Sequence, residues 1–163
     1  MNVEIKFDTP AIGHQQLALE MNPSVFRAEL SRARTFGFMK DVEVLWANDL
    51  ALGSSLENTV AIHDGQIVNR EGLRYLDEFV RHKMLDAVGD LALAGAPMLC
   101  AYRSSCGGHR LNSAMLKALF ADQEAWSVVE APSIPEVGDA SVYKGPTAPS
   151  HLGNAPHFTG AIQ

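Results

Sequence analysis

The chain has 163 residues, 47% hydrophobic and 20% charged, which is the size and balance of one globular domain and leaves no room for two complete catalytic domains. Its 13 Lys and Arg against 19 Asp and Glu leave a net charge of -6, which excludes the basic field that would draw a nucleic-acid backbone. The start, Met1-Asn-Val-Glu-Ile-Lys-Phe-Asp8, lacks the pattern of a signal peptide, and the longest apolar stretch, residues 91–102, is too short to cross a bilayer and is broken by Gly95 and Pro97. No transmembrane segment is expected, and a cytoplasmic protein is. Cys100 and Cys106 lack C-x-x-C spacing and are too few for a disulfide framework, in keeping with a reducing compartment.

Along the chain, Val3, Ile5 and Phe7 alternate with polar residues, the period of a strand with one buried face. Asn22-Pro23 is a capping residue followed by a first-turn proline, and Val25, Phe26, Leu30 and Ala33 recur at helical spacing, predicting a helix over about 23–33. Residues 35–39 read as a strand, and 41–47 fit a short helix or a strand equally. Asp64-Gly65 between two β-branched runs, 59–62 and 66–68, predicts a hairpin. Asn69 then starts the longest predicted helix, about 70–93, ended by Gly95. A further helix is expected over about 111–121, and Trp126-Ser-Val-Val129 as a last strand. Five of the eight prolines fall after residue 131, so residues 131–163 read as an extended or disordered tail. The fold class expected is α+β, a two-layer sandwich of a mixed β-sheet with helices packed on one face.

The chemistry concentrates on the long helix. Glu78, His82, Asp86 and Asp90 stand four residues apart and share one helical face. Like charges at that spacing destabilise a helix by roughly 0.2–0.5 kcal/mol per pair, a penalty that a bound cation reverses. The H-x-x-x-D pair His82 and Asp86 offers an imidazole nitrogen and a carboxylate oxygen to one divalent metal, a donor set that suits zinc, and Asp90 is placed to orient another histidine. Spacing alone leaves a second reading open, in which the file is the solvated face of an amphipathic helix. His109 follows Arg103-Ser-Ser-Cys-Gly-Gly108, small residues running into a helix start near Leu111 or Asn112, which reads as an oxyanion or phosphate site or as a plain connection.

The motifs Arg34-Thr-Phe-Gly-Phe-Met39, Leu50-Ala-Leu-Gly-Ser54 with Asn58, Glu71-Gly-Leu-Arg74, Asp77-Glu-Phe-Val-Arg-His-Lys-Met-Leu-Asp-Ala-Val-Gly-Asp-Leu91, Gly108-His-Arg-Leu-Asn112 and Gln123-Glu-Ala-Trp126 together resemble the C-terminal half of bacterial UDP-3-O-acyl-N-acetylglucosamine deacetylases, the zinc amidases of lipid A biosynthesis. The resemblance runs from about Val3 to Val129. It implies that residues 1–130 form the second domain of such an enzyme, that Zn2+ is the cofactor and that the acylated UDP-sugar is the substrate. His82 and Asp86 would then be two of three zinc ligands. His109 would stabilise the oxyanion and protonate the leaving amine, Asp90 would orient it, and Thr35 would hydrogen-bond the tetrahedral intermediate. Phe36 and Lys83 would meet the substrate, and an insert over about 38–68, with Leu50, Leu52, Val60 and Ile62, would wall the passage for the acyl chain.

The family's third zinc ligand and general base belong to a first domain with no match here. A missing N-terminal domain, a second copy of the chain, or His14 or His63 would have to complete the site. The alternative is a non-catalytic remnant or binding module for an acylated UDP-sugar. An apolar face left without a first domain would also favour self-association.

Overall fold

The computed structural model describes residues 1–41, 48, 49, 53 and 55–130. Chain contacts separate Met1–Ser127 from Val128–Gln163, and of the latter unit only the exposed residues 128–130 are described. The expected tail, most of residues 41–47, and Leu50 and Leu52 lie outside the described residues.

Strand β1, Asn2–Lys6, buries Val3 and Ile5 as its alternation demands. It is the middle strand of a three-stranded sheet, antiparallel to β2, His14–Ala18, and parallel to β6, Arg103–Ser105. The second sheet has β4, Thr59–His63, at its centre, parallel to β3, Thr35–Phe38, and antiparallel to β5, Gln66–Ile67. The architecture is α+β, and among the described residues its strands form two mixed three-stranded sheets rather than one. Asp64 and Gly65 at the β4–β5 turn both have positive φ, 47° and 73°, the backbone that a tight hairpin with the twist of its strands requires.

Asn22 caps α1, Pro23–Val25, its Oδ1 accepting from the amides of Ser24 and Val25 at 3.0 Å. The helix then widens into a π turn over Phe26–Leu30, so the predicted segment is helical but shorter than 23–33. The long helix α2 spans Glu78–Leu91, eight residues later than the Asn69–Arg70 start expected from periodicity. Tertiary contacts override the local pattern here. Asn69 turns its amide to the edge of β4, donating to the carbonyls of Thr59 and Leu56 and accepting from the Ala61 amide, and Gly72 takes a left-handed φ of 69°. Gly95, also left-handed, ends the short 3-10 turn Ala92–Ala94 that closes α2.

Helix α3, His109–Ala121, starts two residues before the expected Leu111, with Gly108 as its extended N-cap. The Arg103–Ser105 segment, read from sequence as part of a loop, is the edge strand β6. Residues 126–129 form no strand: Val128 and Val129 are exposed, and Trp126 packs edge-on against Phe120 with ring centres 5.5 Å apart. The core combines Val3, Ile5 and Ile12 with Leu30, Val60 and Ile62 and with Phe79, Val80 and Met84 of α2. Helix α2 packs against β1, β2, β3, the π turn and α3, and so brings its polar file up to both β3 and α3.

Candidate functional site

The polar file on α2 splits in two. Glu78, at the first turn, is fully buried. Its Oε1 accepts from the Arg34 backbone amide at 3.0 Å and from Arg34 Nε at 2.9 Å, and its Oε2 accepts from Arg34 Nη2 at 3.1 Å and from the Arg74 amide at 2.6 Å. Burial pushes the Glu78 carboxyl pKa up, but the Arg34 and Arg74 donors outweigh it and hold it below the ordinary value. Glu78 is thus a structural anion rather than a member of a cation site, and Arg34 neutralises it from β3's entry.

One turn on, His82 Nε2 and Asp86 Oδ1 lie 3.3 Å apart, with their side chains 15% and 14% exposed. Those exposures rule out the plain solvated face. The His82 Nδ1 atom is shut away from water and has no hydrogen-bond partner among the described residues. Burial holds the His82 pKa below the ordinary 6.5, against the pull of Asp86, which favours the neutral imidazole that metal binding needs. Lys83 Nζ takes the other Asp86 oxygen at 3.0 Å.

At the next turn both Asp90 oxygens lie 2.9 Å from His109 Nδ1, and Oδ2 also accepts from Asn112 Nδ2 at 2.7 Å. Asn112 Oδ1 in turn accepts from the Tyr102 hydroxyl at 2.7 Å. An acceptor-only carboxylate beside Nδ1 places the proton on that nitrogen. Nε2 then faces the first pair, 3.8 Å from Asp86 Oδ2. Helix α3 contributes His109 as its first residue, which is why a histidine far along the chain reaches the α2 file.

From β3, Phe36 meets the His82 ring edge-on at 6.3 Å and carries the Lys83 ammonium 5.8 Å above its own ring centre. Thr35, its neighbour, is exposed. Val60 and Ile62, expected along an acyl passage, are core residues at 0% and 1% exposure, because β4 is the central strand of its sheet. Neither spare histidine joins the site: His14 pairs with Glu4 at 2.7 Å and His63 lies beside Asp64, both exposed. Sequence reasoning missed Tyr102 and gave Asn112 no role. Its i, i+3 relation to His109 is a legible signal for a shared helical face, whereas nothing local marks Tyr102.

The residues fit a divalent metal as part of a site. Two zinc donors at about 2.0–2.1 Å from the ion, at tetrahedral angles, stand about 3.3 Å apart. His82 Nε2 and Asp86 Oδ1 have that separation, and burial favours the neutral ring that a metal requires. Among the described residues no group of three His, Cys, Asp or Glu converges to hold an ion.

The family model described as UDP-3-O-acyl N-acetylglycosamine deacetylase matches residues 1–121. Proteins of Brucella ovis, Brucella canis and Brucella suis, each named UDP-3-O-acyl-N-acetylglucosamine deacetylase, are 59% identical to the chain over 130 residues, which is 79% of this chain and 46% of each relative. The chain therefore spans about half the length of the curated relatives it matches. With that match covering both sheets and all the helices described, the chain belongs to the UDP-3-O-acyl N-acetylglycosamine deacetylase family.

Proposed function

We propose that this chain carries part of the centre of a zinc-dependent deacetylase that hydrolyses the 2-acetamido group of a UDP-3-O-acyl-N-acetylglucosamine in lipid A biosynthesis and releases acetate. The observation that carries this reading is the row of His82, Asp86, Asp90 and His109, in which a half-buried pair of metal donors adjoins a carboxylate-oriented histidine. His82 Nε2 and Asp86 would hold the zinc, which supplies electrophilic polarisation of the acetamide carbonyl. His109 in its doubly protonated form donates from Nε2 to the carbonyl oxygen as charge builds there, and then passes that proton to the leaving amine. Asp90 keeps Nδ1 protonated and the ring in place throughout. Thr35 adds a hydroxyl donor to the developing oxyanion.

Phe36 gives the substrate an apolar surface beside His82, and Lys83 brings a cation for its diphosphate. Leu50 and Leu52 keep the proposed role along the acyl chain, and Val60 and Ile62 support the sheet instead. The third metal donor and the general base come from outside the described residues, from an N-terminal domain or another chain. Exposed free thiols at Cys100 and Cys106 suit a reducing cytoplasm. The same absence of a three-donor cluster among the described residues favours the second reading, a binding module without chemistry.

The test joins metal content to turnover. Zinc per chain is measured by plasma mass spectrometry for the 163-residue protein and for His82→Ala. Acetate release is measured after co-expression with the N-terminal half of the Brucella ovis relative. Deacetylation that falls about 10²–10⁴-fold in His109→Ala supports the enzyme. Substrate binding with no acetate release in the joined halves supports the module.

A further inference from the structure

We infer that Asn112 and Tyr102 are positioning residues of this site, which hold the Asp90 carboxylate and through it dictate the tautomer and orientation of His109. The consequence for catalysis rests on the deacetylase reading; the hydrogen-bond relay itself does not. His109 is 67% exposed on its side chain, and the only hydrogen-bond partner it has among the described groups is Asp90. The ring's orientation is therefore no better defined than the carboxylate it leans on.

Asp90 cannot define itself. It stands near the C-terminal end of α2 on a side chain with two free torsions, and helical geometry alone leaves its plane undetermined. Asn112 supplies the missing constraint. It is buried, 5% exposed, on the same face of α3 as His109, and its Nδ2 donates to Asp90 Oδ2 at 2.7 Å. An ionised carboxylate only accepts, so the amide must present its NH₂ to Asp90 and its oxygen to the other side. There the Tyr102 hydroxyl donates to Oδ1 at 2.7 Å and locks that orientation. Two hydrogen bonds run one way, Tyr102 to Asn112 to Asp90, and the His109 Nδ1–H meets the same carboxylate from the other side as its second donor. Aligned donors of this kind polarise one another, and a partly satisfied buried amide is costly, so the arrangement is either kept whole or lost. It also ties α3 to α2 and to the residue next to β6, so the histidine's placement follows from the packing of three elements.

The test reads the imidazole directly, in the metal-free 163-residue chain under chelator, by ¹⁵N–¹H correlation of histidine side chains. In the parent, His109 is expected to show a protonated, pyrrole-type Nδ1. Asn112→Ala removes the donor that orients Asp90, and the Nδ1 signal is expected to move toward the averaged or Nε2–H pattern of an unrestrained histidine, with the backbone amide spectrum still dispersed. Tyr102→Phe removes one oxygen atom and keeps the shape of the core, and it is expected to move the same resonance in the same direction by less. A folded Asn112→Ala chain that retains the parent Nδ1 signal overturns the inference. If Asn112→Ala does not fold, Tyr102→Phe decides, and an unmoved Nδ1 resonance overturns it. A role in packing alone would lower stability in both variants without changing the tautomer. Because no turnover is measured, failure of the deacetylase reading would leave this result standing, and failure here would leave that reading open to its own assay.

Discussion

Glu78 and the pair His82 with Asp86 sit one helical turn apart on the same face of α2, and they have opposite chemistry. At Glu78 every lone-pair direction points at a donor from this chain, and the carboxylate is fully enclosed. At His82 and Asp86 the two side chains face each other at 3.3 Å, keep 15% and 14% exposure, and leave His82 Nδ1 without a partner among the described residues. Helical spacing is common to both, so it is the elements packed opposite that decide whether a carboxylate becomes a fastening or part of a site. Arg34, just ahead of β3, closes the first position. The second is flanked by Phe36 and by His109 at the start of α3, neither of which consumes its acceptors.

The comparison breaks most visibly at the closed end. Removing one partner of a buried, fully hydrogen-bonded ion pair costs about 3–5 kcal/mol, a large share of the 5–15 kcal/mol that holds a typical domain. Arg34→Ala or Glu78→Ala is expected to lose that much in urea unfolding, while His82→Ala loses far less. Similar losses at both ends would mean that the two halves of the file do the same job.

Acid should separate them next. The Glu78 carboxyl is held below 4.5 in the folded chain, so the folded state binds fewer protons than the unfolded one as pH falls through that region. Its contribution is complete above the unfolded value and is lost as pH falls through the depressed folded value. The urea midpoint is expected to fall steeply below about pH 4.5, and a folded Glu78→Gln variant should show a shallower slope. An equal slope would place the acid sensitivity elsewhere.

At the second position the expected effect is on metal binding rather than on stability. His82→Ala and Asp86→Ala are each expected to weaken zinc binding by more than about tenfold in competition with a chromophoric chelator, with only small changes in the urea midpoint. Lys83→Met, which releases Asp86 Oδ2 from its 3.0 Å contact, should move the other way. A largely buried i, i+3 pair of this kind is worth about 0.5–1 kcal/mol, so zinc affinity should rise about twofold to fivefold. Unchanged affinity would mean that Asp86 offers the metal only the oxygen nearer His82. Phe120→Ala, which removes the edge contact with Trp126, should cost about 0.5–1.5 kcal/mol in urea unfolding beyond the lost area.

Much of this was legible before any coordinate. Period-two alternation located β1, Asp64-Gly65 located the β4–β5 hairpin, and Asn22-Pro23 located the start of α1, because each is a local signal obeyed by a few adjacent residues. The H-x-x-x-D spacing brought His82 and Asp86 together for the same reason: a helix carries its own i, i+4 geometry wherever it packs. The errors also share a cause. Periodicity drew α2 back to residue 70, but Arg34 requires Glu71 and the Gly72 carbonyl as partners, at 2.6 and 2.8 Å, and that demand unwinds the segment. The predicted strand at 126–129 had β-branched residues but pairs with no strand among the described residues, while Arg103–Ser105, with no β pattern of its own, became a strand because β1 offered an edge.

By itself, then, the sequence determined this protein's family, its α+β class and the pairing of His82 with Asp86, since each is written in contiguous motifs or in the repeat of one helix. Only the tertiary structure decided that Glu78 is sealed by Arg34, that Asp90 serves His109, and that Asn112 and Tyr102 stand behind them. Those assignments depend on groups from separate elements meeting in a space that excludes water, where an unmet polar atom is expensive and a met one is directional. Spacing along the chain carries no record of such meetings until the core formed by Phe79, Val80, Ile5 and Val60 has drawn the elements together.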